Sequence, residues 1–501
     1  MGLADDLEDY RRDTEAFLRA REEALYLHGA GHRADLPLAQ IHARHADLFA
    51  EEAVGELVGA AADAPSGDRG RSLRALRAFA VQGRLDAATA SQQEAIAAAE
   101  ASWLVRAEGE TLPYRGVAAA IANEPDRHRR LALERARLRV VDEELTPLHA
   151  AAWSLRHDLA GRIGGDGASY RSLWGGLLGV DLSALAAQCE RLLRDTDDLY
   201  RAVLDPVMRS AAGVALDEAV RADLPRLLRA PEQDAHFPSD RMVEALERGL
   251  DGLGLDLRRQ PNVVIDAEPR PSKDPRAFCA PVEVPDRVFL VVAPIGGRDD
   301  YLALFHEAGH AEHFANVARG LPVEFRRLGD DAVTECYAFL IEGLLRDRVW
   351  LSSTLGFTES GDHLRDAALG RLYLHRRYAA KLLYELELHA GGGLDGMPAR
   401  YAELLSGATG VAWPQETFLD DVDQGFYCAS YLRAWALEVG LRGMLQEQFG
   451  SRWFAQRRAG SLLRELWEDG QRLSADELAS ELGLGPLDLS VLAEEAAATL
   501  G

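Results

Sequence analysis

The spacing of two histidines constrains this chain more than any other feature of its sequence. His306 and His310 stand four residues apart, in the order His-Glu-Ala-Gly-His, within a stretch (301–319) whose apolar residues recur at helical spacing. Residues four apart share one face of an α-helix, so both imidazoles can bind one metal ion. Glu307, about 100° round the helix, can then reach a water molecule at that ion. The motif therefore predicts a helix that carries a catalytic zinc site.

A catalytic zinc ion takes three protein ligands and keeps a fourth position for water, so a further donor is needed. Glu335 follows a break at Gly329-Asp330-Asp331 and opens a second predicted helix (332–350), which has room to fold back on the first. Glu342 lies seven residues later on the same face. A carboxylate on an apolar helix face is costly to bury without a partner such as a metal ion or a metal-binding histidine. Glu335 is therefore the predicted third ligand. Glu342 is predicted to contact a ligand without binding the metal ion itself, although either glutamate could simply be solvated.

His313 is a further candidate, because it lies three residues after His310 on the same helix face. Three successive ligands on one straight helix would spread too far along its axis, so we expect His313 to lie behind the ligands. A third histidine in the pattern H-E-x-x-H-x-x-G-x-x-H is excluded, because Asn316 occupies its position.

The composition indicates a soluble globular protein. The chain has 501 residues, of which 47% are apolar and 27% charged. A chain of this length is too long to fold around a single hydrophobic core of ordinary size. The formal net charge of −25 argues against nucleic acid and anionic membranes as partners. The first residues are acidic instead of forming a secretory signal, and no run of about 18 apolar residues occurs, so a cytoplasmic protein is expected. Four cysteines without a C-x-x-C pair predict reduced thiols.

Most of the chain has a helical pattern, but one segment differs. Between 261 and 297 the sequence is rich in β-branched residues and proline, and it predicts three short strands, at 262–266, 278–284 and 288–292. A small sheet is therefore expected just before the metal helix. The last strand is expected to be an edge strand, to which an extended peptide can add through main-chain hydrogen bonds.

These patterns predict a mainly α fold with two helical lobes and a small β-sheet beside the metal helix. We expect an N-terminal helical lobe at 1–200 and a catalytic region at 201–501. The residues that form the metal site and its surroundings are expected at about 278–438.

Segment 305–313, Phe-His-Glu-Ala-Gly-His-Ala-Glu-His, resembles the H-E-x-G-H-x-x-H helix of the M3 zinc metallopeptidases, the thimet oligopeptidase and oligoendopeptidase F group. In that family the third zinc ligand is a glutamate 25 residues after the second histidine, which falls on Glu335 here, and a second glutamate seven residues later falls on Glu342. Segment 377–389 also resembles the family helix that ends in Leu-x-Leu-His. The resemblance covers roughly 278–438.

The resemblance implies a zinc-dependent endopeptidase, an oligopeptidase that hydrolyses internal bonds of short unfolded peptides in a deep channel between helical lobes. It assigns one zinc ion per chain to three ligands, His306, His310 and Glu335. Glu307 would be the general base that takes a proton from water and passes it to the leaving amine.

The resemblance also suggests which residues stabilise the oxyanion. Segment 424–431 resembles the family segment that supplies tyrosines, which makes Tyr427 and Tyr431 candidates for oxyanion stabilisation and substrate contact. The chain departs from the family at Val422 and Ala434, where some members have a histidine and a further tyrosine.

Two other functions remain open. The M32 carboxypeptidases share the H-E-x-x-H motif, a glutamate ligand and a helical architecture, and they remove one C-terminal residue at a time. A non-catalytic zinc-containing protein that binds peptides would keep the helical lobes without the chemistry. The complete set of His306, Glu307, His310 and Glu335 argues against the second alternative.

Overall fold

The computed structural model describes residues 7–64, 66–165 and 168–501, and it is mainly helical, as the sequence predicts. Alanine, leucine, arginine and glutamate dominate these helices, and all four residue types have high helix propensity. The α-helices are α1 (Leu7–Gly29), α2 (Leu38–Arg44), α3 (Glu51–Ala62), α4 (Asp68–Ser102), α5 (Tyr114–Asn123), α6 (Arg127–Val140), α7 (Thr146–Gly164), α8 (Tyr170–Leu178), α9 (Leu182–Ala211), α10 (Leu224–Arg229), α11 (Met242–Gly252), α12 (Arg298–Asn316), α13 (Val323–Arg327), α14 (Asp331–Glu342), α15 (Arg348–Trp350), α16 (Gly361–Leu388), α17 (Met397–Thr409), α18 (Tyr427–Phe449), α19 (Arg457–Glu468), α20 (Ala475–Glu481) and α21 (Ser490–Leu500). The strands are β1 (Leu104–Ala107), β2 (Glu110–Pro113), β3 (Val263–Asp266), β4 (Phe278–Glu283) and β5 (Arg287–Val291).

The chain divides into two compact units, each assembled from three separate segments. Unit 1 comprises the chain up to Ala87 together with Glu232–Leu364 and Arg433–Leu487; unit 2 comprises Ala88–Pro231, Arg365–Leu432 and Asp488–Gly501. The expected division into 1–200 and 201–501 differs from this arrangement, because residue 200 lies inside α9. Hydrophobic periodicity identifies a helix but carries no information about which distant helix it packs against.

The three-stranded sheet of unit 1 has the order β3-β5-β4. β5 pairs with β3 in parallel, starting at Val263↔Val288, and with β4 antiparallel, starting at Phe278↔Val291. The expectation that 288–292 forms an edge strand is therefore wrong: its residues pair on both sides. β4 is an edge strand instead, and it contains Pro281, which has no N–H to donate to a further strand.

α12 packs against β4, β5 and α14 in unit 1. Its core-facing side chains include Leu304, Phe305 and Ala308, each of which is fully buried. α14 is more deeply enclosed, since every residue from Ala332 to Ile341 is buried. A carboxylate on such a helix needs a partner, because an ionised group in apolar surroundings is strongly destabilising.

Unit 2 has its own cores. The larger one brings together buried side chains of α9, α16 and α17, among them Tyr200, Tyr384 and Tyr401. A smaller core lies beneath the hairpin of β1 and β2, which pair antiparallel from Leu104↔Pro113 to Ala107↔Glu110. The sequence analysis does not predict this hairpin, because strands of four residues are too short to show a clear alternation of apolar and polar residues.

Two expectations about the whole chain can be compared with the structure. All four cysteines are free, as predicted, and three of them are buried: Cys189, Cys336 and Cys428. Among the described helices, none combines the length and the apolar character that crossing a membrane requires.

Candidate metal centre

The turn before α12 fixes where the first histidine-bearing helix begins. Gly296 and Gly297 both have positive φ angles, 93° and 95°, which favour glycine. The carboxylate of Asp300 accepts hydrogen bonds from the backbone N–H groups of Ile295 and Gly296 at 3.0 and 2.8 Å. α12 begins directly after this glycine pair, and His306 and His310 follow on one face with ring centroids 5.0 Å apart.

α14 is held at its N-terminus by Asp330, whose carboxylate accepts a hydrogen bond from the N–H of Ala332 at 3.0 Å. Arg433 donates to both oxygens of Asp330, at 3.0 and 2.7 Å. An N-cap of this kind typically stabilises a helix by about 1 kcal/mol. α14 is shorter than the predicted helix 332–350, because a tighter 3-10 turn (Gly343–Arg346) follows Glu342.

α12 and α14 run in opposite directions along their contact. His306 lies beside Glu342 near the end of α14, whereas His310 lies beside Thr334 near its start. Gly309 lies between the two histidines in sequence, and its backbone lies against the backbone of α14 at Tyr337 and Ala338. The absence of a side chain at Gly309 therefore allows the histidines to reach residues of α14.

Three side chains converge between these helices. One ligand atom from each of His306, His310 and Glu335 lies within 4.8 Å of the others. Glu335 Oε2 is 3.2 Å from His306 Nε2 and 3.5 Å from His310 Nε2. The side chain of Glu335 is 4% exposed, and those of the histidines 15% and 12%. The cluster is thus largely buried, but solvent reaches the two imidazoles.

Each histidine has a second partner on its other ring nitrogen. His306 Nδ1 donates to Glu342 Oε2 at 3.1 Å, and Glu342 Oε1 in turn accepts from Arg346 Nη1 at 2.5 Å. His310 Nδ1 lies 2.8 Å from Thr334 Oγ1. An Nδ1–H that donates outward leaves the Nε2 lone pair free for a metal ion. The Glu342 carboxylate can only accept, so it favours the His306 tautomer in which Nε2 is the ligand atom. The Thr334 hydroxyl can donate or accept, and it is compatible with the same tautomer of His310.

The charges around the cluster favour a bound cation. Burial would lower the pKa of His306, but its bonds to Glu335 and Glu342 raise it to about 10. Burial would raise the pKa of Glu335, yet His310 and His306 hold it well below its usual range. Burial would also raise the pKa of Glu342, whereas Arg346 and His306 lower it to about 2. Carboxylates that stabilise a proton on His306 stabilise a divalent cation in the same place.

Glu307 is held by β4. Its Oε2 accepts a hydrogen bond from the backbone N–H of Cys279 at 2.9 Å, and this bond does not engage Oε1. Glu307 is not one of the three clustered groups, although it lies between the two histidines in sequence. Burial raises the pKa of the Cys279 thiol well above its usual value, so the sulfur remains protonated.

His313 lies in the core. Its ring is fully buried and contacts the rings of Phe314 and Tyr337, with centroids 5.1 and 5.0 Å away. Burial lowers the pKa of His313 to about 3, so the imidazole is neutral. The structure does not bring His313 into the cluster of ligand atoms, and the rings that it contacts belong to Phe314 and Tyr337.

Tyr427 and Tyr431 belong to unit 2 and lie in the first turns of α18. Their rings meet edge to face, with centroids 5.1 Å apart, and Tyr431 makes a similar contact with Tyr378 at 5.2 Å. Both tyrosines are partly exposed. The backbone reverses just before them, since Gly425 and Phe426 both have positive φ angles, 67° and 57°.

The donor set fits zinc. Two imidazole nitrogens and one carboxylate oxygen are the protein ligands of one class of catalytic zinc sites. In a tetrahedral site with bonds of about 2.0–2.1 Å, neighbouring ligand atoms stand about 3.4 Å apart. The separations of 3.2 and 3.5 Å between Glu335 and the two histidines lie on either side of this value. His306, His310 and Glu335 are therefore the residues that could hold the ion.

Three groups of this site are not predicted from the sequence. Thr334 contacts His310, Arg346 binds Glu342, and the Cys279 N–H holds Glu307. Arg346 could have been found, because it follows Glu342 by four residues and this spacing favours a helical ion pair. The Cys279 N–H could not, because a backbone group has no signal in the sequence.

No family model and no curated protein matches this chain. A function for this chain is therefore inferred from the geometry of the site and from the resemblance of its motifs.

Proposed function

We propose that this protein is a zinc-dependent endopeptidase of the M3 type, an oligopeptidase that hydrolyses internal bonds of short unfolded peptides. The observation that carries the proposal is the cluster of His306, His310 and Glu335, whose ligand atoms lie within 4.8 Å, with Glu307 on the same helix. This combination of ligands and a non-ligand carboxylate is what metal-assisted hydrolysis requires.

In this proposal the three ligands come from two helices and differ in charge. His306 and His310 supply neutral nitrogen donors from α12, and Glu335 supplies an anionic oxygen from α14. Their outer partners, Glu342 and Thr334, keep the rings oriented. Zinc in such a donor set lowers the pKa of a coordinated water molecule and polarises a carbonyl group.

Glu307 is the proposed general base. The bond from the Cys279 N–H restrains its carboxylate while leaving Oε1 outside that contact. In this proposal Glu307 accepts a proton from the attacking water and then donates it to the leaving amine, so that one carboxylate serves both steps. Tyr427 and Tyr431 retain the role that the family resemblance assigns to them, oxyanion stabilisation and substrate contact.

The test is digestion of a mixed library of short peptides by protein of measured zinc content, with product mapping by mass spectrometry. We expect internal cleavages that stop on chelation and return when zinc is added back. A Glu307→Gln sample prepared in parallel shows whether any activity comes from a contaminating peptidase.

The same experiment separates the alternatives. Stepwise loss of C-terminal residues would replace the endopeptidase proposal with a carboxypeptidase of the M32 type. One equivalent of bound zinc with no cleavage of any peptide would replace it with a peptide-binding protein.

A further inference from the structure

The two ligand histidines differ in what stands behind them. His306 donates to the carboxylate of Glu342, which a guanidinium holds from the opposite side, whereas His310 contacts the uncharged hydroxyl of Thr334. One side of the ligand set is therefore supported by a chain of charged groups and the other by a neutral one.

Glu342 is bound through both of its oxygens. Oε2 lies 3.1 Å from His306 Nδ1, and Oε1 lies 2.5 Å from Arg346 Nη1. The side chains of Glu342 and Arg346 are only 17% and 18% exposed, so water screens their attraction weakly. A carboxylate bound at both ends cannot turn away from the imidazole without breaking a charge-assisted hydrogen bond.

The turn that carries Arg346 is anchored separately. His363 Nε2 donates to the backbone carbonyl of Leu345 at 2.9 Å, and His363 Nδ1 lies 2.7 Å from Gln233 Oε1. His363 is 2% exposed. The backbone next to Arg346 is thus fixed by a buried ring, which limits the positions that the guanidinium can adopt.

We propose that Arg346 is a positioning residue of the metal centre: it holds the Glu342 carboxylate against His306 Nδ1 and so sets how firmly His306 binds the ion. This inference rests on the zinc site of the proposed function. Partners behind a metal-binding histidine fix its tautomer and orientation, and their loss typically weakens metal binding by about 10- to 100-fold. Arg346 acts one step further out, through Glu342.

The experiment measures the zinc dissociation constant by competition with a chromophoric chelator, for the full chain and three variants. Arg346→Met keeps the length of the side chain and removes its charge, and Arg346→Lys keeps the charge without the planar fork. Arg11→Met is the matched control. Arg11 binds the buried carboxylate of Glu324 at 2.6 Å with 22% exposure, in the same unit but with no ligand histidine behind it.

We expect Arg346→Met to bind zinc about 10-fold more weakly, at the lower end of the range for outer partners, and Arg346→Lys to recover part of the loss. Arg11→Met should lower the unfolding temperature and leave the zinc affinity unchanged. Equal affinities for Arg346→Met and wild type, or equal losses in Arg346→Met and Arg11→Met, would overturn the inference.

The outcome is independent of peptide hydrolysis. A wild-type protein that binds zinc but cleaves no peptide would remove the proposed activity, and the affinity series would still decide the role of Arg346. A wild-type protein that binds no zinc would overturn both.

Discussion

Gly309 lies so close to Ala338 that a Cβ atom added to the glycine would stand 2.5 Å from the Ala338 Cα atom and 2.7 Å from the carbonyl oxygen of Tyr337. Both neighbours are backbone atoms, which cannot rotate away, so Gly309→Ala must push α12 and α14 apart. We expect a loss of about 1–3 kcal/mol in the free energy of unfolding, measured with urea, because overpacking a core costs this much. Zinc binding should weaken in the same variant, since the ligands come from both helices.

Gly55→Ala is the matched control for this prediction. Gly55 lies within α3, and an added Cβ would meet nothing within 4 Å. Alanine is the better helix former, so this variant should be more stable than wild type by about 0.5–1 kcal/mol, with unchanged zinc binding. A Gly309→Ala protein as stable as Gly55→Ala would show that the helices tolerate separation.

Local patterns predict the cluster of possible ligands, because helical spacing alone places His306 and His310 on one face. Glu335 could be ranked as the third ligand because a carboxylate on an apolar helix needs a partner. The close approach at Gly309 could not be predicted, since a glycine in a helix does not reveal which backbone lies opposite it.

Long-range pairing of strands and helices does not follow from local sequence patterns. The three strands were found from their β-branched residues, but the central place of β5 depends on the parallel pairing with β3, which leaves no local signal. The division into units depends on segments brought together from three parts of the chain. Neither follows from local periodicity, which is why the edge strand was assigned wrongly.

Thr334→Val tests the neutral partner of the second ligand. Thr334 Oγ1 lies 2.8 Å from His310 Nδ1, and valine replaces that oxygen by a methyl group. His310 would then lose the hydrogen-bond partner that orients its ring, and we expect zinc affinity to fall by about 10-fold. The measurement is the same competition titration with a chelator.

Thr409→Val is a suitable comparison, because the buried Thr409 hydroxyl donates to a backbone carbonyl, that of Leu405, at 2.7 Å in unit 2. It should lose stability of about 1 kcal/mol, typical of one hydrogen bond, without any change in zinc binding. If both threonine variants bind zinc as wild type does, Thr334 has no part in orienting His310.

Glu307→Gln tests whether peptide hydrolysis can be lost while zinc binding is kept. Glu307 is not among the clustered ligand atoms, and a glutamine oxygen can still accept the hydrogen bond from the Cys279 N–H. We expect zinc content and unfolding temperature to match wild type, while peptide hydrolysis falls by at least about 100-fold, as for loss of a general base. Glu247→Gln, which alters a surface ion pair with Arg258, should retain full activity. Unchanged turnover by the Glu307 variant would eliminate this residue as the base.

Asp266 connects stability to pH in unit 1. Its carboxylate binds Arg270 and the buried Lys273, whose Nζ lies 3.0 Å from Oδ1. Burial would raise the pKa of Asp266, but the bonds to Arg270 and Lys273 lower it from 3.8 to about 2. Because the folded pKa lies below the unfolded one, the stabilisation is complete above pH 3.8 and is lost as the pH falls through about 2. Asp266→Asn should therefore cost on the order of 1–2 kcal/mol at neutral pH.

The pH dependence distinguishes this ionic contribution from a simple packing defect. Urea unfolding of wild type and Asp266→Asn should differ most at neutral pH, and the difference should shrink between pH 4 and pH 2 as the wild-type carboxylate becomes protonated. Asp286→Asn, which removes an exposed partner of Arg319, should follow the wild-type curve throughout. A gap between wild type and Asp266→Asn that stays constant down to pH 2 would mean that shape, and not charge, makes Asp266 important, because protonation would then leave its contribution unchanged.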